Sequence, residues 1–174
     1  MTEKWLNRAT NVAFIVVCSV LTVYASGRLV DRWSAPDPTK SDYRIGDHLD
    51  GVSGLDLRKS SYTLMAFVKS GCPYCGASMQ FYKRIADKRA RGAVRFFAMD
   101  AEPTSIAMQY IGGTGVGFDG LVSYQRERLR VARVPQLILV DAKGVVQRSW
   151  HGQLSATQEQ DVMSALAGLK LISD

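Results

Sequence analysis

Histidine and cysteine are scarce in this chain, two and three among 174 residues. A tetrahedral zinc site needs about four such ligands, so the supply speaks against a zinc-built domain. Three cysteines are too few for a disulfide scaffold, and an odd count cannot all pair within the chain. Any disulfide here is therefore working chemistry rather than a staple. Charge of one sign is also lacking in bulk: 22 Lys+Arg against 16 Asp+Glu leave only +6. That excess favours anionic partners such as acidic proteins or lipid head groups, but it falls short of the basic density of a nucleic-acid binder. No internal repeat occurs. What is present is enough apolar material for a core, 47% hydrophobic against 22% charged residues. The length suits one ordinary domain with an appendage and excludes a large multidomain enzyme.

The one long apolar run is Val12–Ala25 (VAFIVVCSVLTVYA), preceded by Lys4 and Arg8. It is shorter than the usual spanning helix, so a cleaved signal peptide competes with an uncleaved anchor. Trp5 and Tyr24 would stand about 28 Å apart on a helix, one at each membrane interface. Val23-Tyr24-Ala25 matches a cleavage site only loosely, and the run has no polar face to suit a buried core helix. Residues 1–28 are read as a transmembrane signal-anchor, with the domain on the exported (periplasmic or extracytoplasmic) side and a cleaved, secreted chain as second choice. Cys18 within this run reads as a small apolar filler. Residues 29–43 are polar, carry Pro36 and Pro38, and read as a linker; residues 44–174 form the domain.

Within that domain, Val52–Leu57 and Thr63–Val68 read as strands, the second almost wholly apolar and hence central. Cys72–Arg89 reads as a helix with Met79, Tyr82, Ile85 and Ala86 inward and Lys83, Arg84, Asp87 and Lys88 toward water. Ala93–Met99 is a further strand and Leu121–Leu129 a further helix. Asp141-Ala142-Lys143-Gly144 is a turn between Gln136–Val140 and Val145–Trp150, which makes a hairpin. Ser155 and Gln158 form a capping box for a last helix. The order β, α, β, α, β, β, α implies an α/β domain, a central mixed sheet with helices on both faces.

The chemistry sits at Gly71-Cys72-Pro73-Tyr74-Cys75, between the buried strand and the amphipathic helix. There Cys72 meets a helix N-terminus, whose unpaired N–H groups and macrodipole favour thiolate over thiol. Pro73 suits the first helical turn, which needs no N–H at that place. Cys75 lies three residues on and can close a short disulfide, so one thiol attacks and the other resolves through a mixed disulfide. Covalent haem attachment requires a histidine after the second cysteine, and Gly76 is there. A purely structural disulfide over so short a loop contributes little chain-entropy stabilisation. Redox chemistry is the reading that fits.

On these residues the chain resembles the thioredoxin superfamily, most closely its exported, membrane-tethered TlpA-like thiol–disulfide oxidoreductases. The resemblance spans about residues 44–170. It rests on Leu64–Val68 leading into Cys72–Cys75, on Arg133-Val134-Pro135-Gln136, and on Leu137–Trp150 followed by His151-Gly152. It implies a thioredoxin-like fold, catalytic Cys72 and Cys75, and a cis peptide bond before Pro135. It further implies substrate docking by Val134 and Pro135, beside Pro73, Tyr74 and Arg133. The implied partners are cysteine-containing protein substrates and a redox protein that recycles the dithiol, with no metal or organic cofactor. Three family features are replaced. Ala66 stands where thioredoxin has a buried Asp, Ser78 where many TlpA-like proteins have a Glu, and Gly71 where a Trp is common. The resemblance thus supplies no general base for the resolving thiol. Pro-Tyr is the glutaredoxin dipeptide, but Asp141–Gly144 replaces the glycine pair of a glutathione site. These features together imply a potential more oxidising than thioredoxin's, roughly −170 to −230 mV.

The remaining signals are weaker. Gly115–Gly120 (GVGFDG) matches GxGxxG, but no convincing strand precedes it, and residues 102–120 read as a flexible insertion. Arg126, Arg128 and Arg130 read as a solvated face, whereas Arg133, and more weakly Lys69, are placed to favour the Cys72 thiolate and acidic substrates. His151 reads as a turn residue. In the alternative function, copper delivery, Cys72, Cys75 and His151 would bind Cu(I), although copper-binding relatives usually have three residues between their cysteines. A peroxidase reading lacks a lone cysteine beside a Thr/Arg site.

Overall fold

A computed structural model describes residues 17–20, 22, 42–49, 52, 54–126 and 128–173. The chain divides into two units, Met1–Asp37 and Pro38–Asp174. In the first, residues 17–20 and 22 are helical. The rest of the expected anchor, and the expected linker up to residue 41, lie outside the described residues. Among the described residues no helix is long and apolar enough to cross a membrane.

The second unit runs β1 (Tyr62–Phe67), α1 (Pro73–Lys88), β2 (Val94–Asp100), α2 (Thr104–Gly113), β3 (Gly120–Ser123), β4 (Gln136–Asp141), β5 (Val146–His151) and α3 (Ala156–Gly168). The strands form one sheet in the order β3-β2-β1-β4-β5. β1 pairs in parallel with β2, and β2 with β3, whereas β4 runs antiparallel to both β1 and β5. The apolar run of β1 occupies the centre, as a strand covered on both faces must. Its alternation divides the core. Leu64 and Ala66 join the cluster built with α1 and α3, and Met65 and Phe67 join a second cluster on the opposite face.

α1 buries Met79, Tyr82, Ile85 and Ala86 and exposes Lys83, Arg84, Asp87 and Lys88, the division its periodicity predicts. The capping box at Ser155 and Gln158 is formed, and so is the β4–β5 hairpin. The second face is covered by side chains from between residues 43 and 57 and between 122 and 134, with no α-helix among the described residues that pack there.

Four expectations need correction. Val52–Leu57 forms no strand among its described residues; Val52, Leu55 and Leu57 pack onto the second cluster, and a 3-10 turn follows at Leu57–Lys59. Leu121–Leu129 forms no helix among its described residues. Leu121 and Val122 pair with Ala98 and Met99 at the sheet edge as β3, where unpaired β2 groups outweigh local helical spacing. Residues 102–120, expected as a flexible insertion, carry a regular element, α2. The linker also ends earlier than residue 43, because Tyr43 is buried in the second cluster and Arg130 stacks on its ring at 4.8 Å.

The GVGFDG segment has a structural task. Buried Arg89, at the end of α1, donates to the Gly117 carbonyl and the Asp119 carboxylate, each at 2.7 Å. Asp119 in turn accepts the Phe96 backbone N–H at 2.7 Å. The motif lies between α2 and β3, the reverse of the strand-to-helix setting of a dinucleotide fingerprint.

Candidate functional site

The end of β1 delivers the chain to Gly71, whose φ of 69° is a left-handed turn that glycine adopts without strain. Cys72 follows as the N-cap of α1, partly exposed, and its Sγ accepts the Cys75 backbone N–H at 3.4 Å. Pro73 fills the first helical position, as its missing N–H allows. One turn on, Cys75 points into the core and is fully buried. Burial, then its hydrogen bond with Cys72, push the Cys75 thiol up to about 12, against a smaller opposing effect of the Lys69 backbone N–H. The two cysteines are free thiols of unequal character, one reachable and one hidden.

A cavity of about 830 Å³ opens beside this turn. Tyr74, whose side chain is largely exposed, lines it together with Arg133, Val134 and Pro135. The Val134–Pro135 peptide bond is cis, as the resemblance implied. The Gly152 N–H donates to the Pro135 carbonyl at 2.8 Å, which joins the start of β4 to the end of β5. His151 and Asp42 also line it, with His151 Nδ1 3.4 Å from an Asp42 oxygen. The other Asp42 oxygen accepts the Ala132 N–H at 3.0 Å, so the segment once read as linker supplies part of the wall.

His151 therefore faces Asp42. Among the described residues no group of three His, Cys, Asp or Glu side chains is arranged to hold a metal ion. The copper-binding set of Cys72, Cys75 and His151 has no support. Lys69 meets the site through its backbone, whose carbonyl accepts the Cys72 N–H at 3.4 Å.

Two groups not singled out by the sequence pattern lie on the α1 side of the sheet. Asp100 ends β2, is only 1% exposed and shares the parity of Val94 and Phe96, which belong to the α1-side cluster; Tyr110 packs against that cluster from α2. A signal for Asp100 was available, since Val94, Phe96, Ala98 and Asp100 share one parity, and an acid at the end of an otherwise apolar face is unusual.

No protein-family model matches the chain, and no curated protein does. Solved structures do resemble it. A thiol:disulfide interchange protein DsbE from Chlorobium tepidum superposes with a TM-score of 0.59 at 18% identity, covering 73% of this chain and 98% of that one. A thiol-disulfide isomerase from Corynebacterium glutamicum gives 0.51 at 20% identity, covering 81% and 98%. Peroxiredoxin Q from Xanthomonas campestris gives 0.51 at 14% identity, covering 64% and 80%. Likeness at this level of identity is a statement about architecture: the chain has the thioredoxin-like fold, a mixed five-stranded sheet flanked by helices.

Proposed function

We propose that this chain is a thiol–disulfide oxidoreductase acting on cysteines of protein substrates. The observation that carries the reading is the pairing of a reachable Cys72 at the N-cap of α1 with a buried Cys75 one turn later. Cys72 is the nucleophile that forms the mixed disulfide, and Cys75 is the resolving thiol that closes the intramolecular one. The cavity lined by Tyr74, Arg133, Val134 and Pro135 receives the substrate segment around its cysteine. Val134, two residues before β4, offers backbone groups to an extended chain, and Arg133 biases the choice toward acidic segments. The dithiol itself carries the two electrons. Structural relatives named as thiol:disulfide interchange and isomerase proteins support this assignment.

Residues 1–28 are assigned as a membrane tether that leaves the domain exported, supported by the Val12–Ala25 run and its flanking aromatics. A second redox protein then recycles the dithiol. With a disulfide-bonded peptide as substrate, Cys72→Ser is expected to abolish exchange, whereas Cys75→Ser accumulates a mixed disulfide on Cys72. Trapping on Cys75 in the Cys72→Ser chain would reverse the roles. The full-length chain is expected to stay in the pellet after carbonate washing of membranes, and a mature N-terminus near Ser26 would remove the tether from the assignment.

A further inference from the structure

A buried resolving thiol must lose its proton before it can attack, and neither Ala66 nor Ser78 can take it. The pleat of β2 places another acid nearby. Val94 and Phe96 join the cluster covered by α1, whereas Phe97 and Met99 join the opposite one, so parity sets Asp100 on the Cys75 side. The Val68 N–H donates to the Met99 carbonyl at 2.9 Å, which puts Asp100 beside the segment leading to Cys72. Glu102, two residues on, ties down that segment by accepting the Ser70 N–H at 3.2 Å. One Asp100 oxygen accepts the Glu102 N–H at 2.9 Å; the other is buried and has no hydrogen-bond partner. The buried Tyr110 hydroxyl, facing the same cluster, has none either. Buried polar groups without partners are rare, and two of them around one hidden thiol form a site.

We infer that Asp100 is the proton acceptor for Cys75, with the Tyr110 hydroxyl beside the path. This rests on the dithiol reading above. In the resolving step the Cys75 thiol gives its proton to the Asp100 carboxylate, and its sulfur attacks Cys72 Sγ of the mixed disulfide. The Cys72–Cys75 bond forms, the bond from Cys72 to the substrate sulfur breaks, and the substrate leaves as a thiolate. The dithiol is oxidised by two electrons and the substrate disulfide is reduced. Asp100 afterwards returns its proton to solvent, and the reverse reaction runs the same path backward.

The electrostatics agree with the geometry. Burial raises the Asp100 carboxyl above its ordinary range; the Glu102 backbone N–H opposes this, the Glu102 carboxylate adds to it, and the Ala101 backbone and Arg126 oppose it, with burial prevailing. A carboxylate made more basic is a better acceptor at neutral pH. Asp100 in turn adds to the upward shifts of Cys75, Tyr110 and Tyr124, and Cys72 to those of Cys75 and Tyr110.

The test uses the full chain carrying glutathione on Cys72 and follows its release by Cys75. In the wild type the release rate is expected to level off above the carboxyl titration. In Asp100→Asn it is expected to fall about a hundredfold near neutrality and to rise tenfold per pH unit, as hydroxide-dependent ionisation requires. Asp100→Glu is expected to recover part of the rate and the plateau. Wild-type release that climbs with unit slope through neutral pH would overturn the inference without any variant having to fold, and so would Asp100→Asn release at the wild-type rate. If glutathione never leaves wild-type Cys72, the dithiol reading fails first; if it leaves without regard to Asp100, only the present inference fails.

Discussion

Alkylation of the reduced chain tests the inequality of the two thiols most directly. With Cys75 pushed up from 9.0 to about 12, its thiolate fraction at pH 8 is about one in 10⁴, against about one in ten for an ordinary thiol. The difference is about a thousandfold, or about 4 kcal/mol, and its main cause is burial. Alkylation requires both the thiolate and access, and Cys75 has no exposed surface. Iodoacetamide at pH 8 is therefore expected to label Cys72 at least a hundredfold faster than Cys75, read by peptide mass mapping of a time course. Partial denaturation with urea should make Cys75 reactive, which separates concealment from an intrinsically inert site. Labelling of the two cysteines at rates within tenfold of each other in the native chain would refute the reasoning. Faster labelling of Cys75 would also exchange their mechanistic roles.

The same shift carries a stability prediction whose sign follows from linkage. The folded pKa lies above the unfolded one, so stability from Cys75 is complete below pH 9 and is lost as the pH rises toward 12, about 4 kcal/mol in all. Tyr110 and Tyr124 titrate in the same region, so the readout is the difference between reduced wild type and Cys75→Ala in urea melts at pH 8 and 11; parallel losses would contradict it. At the far end of α1, Asp119→Asn removes the charge opposite buried Arg89 and is expected to cost about 3 kcal/mol in thermal or urea unfolding. Equilibration with glutathione is expected to place the Cys72–Cys75 couple at roughly −170 to −230 mV, and a value at or below about −270 mV would identify a reductant.

The parts legible in the sequence are those whose causes lie within a few residues. An apolar run without polar interruption became the central strand, because only a buried position suits it. Cys72, Pro73 and the 3.6-residue period that follows specify a helix start with a thiol at its cap, and that start is where they stand. The capping box at Ser155 and the turn at Asp141–Gly144 are equally local. Residues 121–129 show the limit. Their spacing suits a helix, but the open edge of β2 offers hydrogen bonds that local propensity cannot represent, and Leu121 and Val122 take them.

Other features depend on contacts between residues far apart in the chain, which no window of sequence contains. Arg89 reads as one more exposed cation until Asp119 and the Gly117 carbonyl meet it in the interior. His151 could be counted as a thiolate's companion or a metal ligand until the fold sets Asp42 against it, 109 residues away in the chain. Asp100 looks like the polar end of a strand. Only the pleat of β2 and the packing that covers that face turn it into a buried acid on the side of a buried thiol. Local geometry decided that the chain carries a dithiol; tertiary packing decided which thiol is hidden and what can take its proton, because burial and long-range charge are properties of the assembled interior.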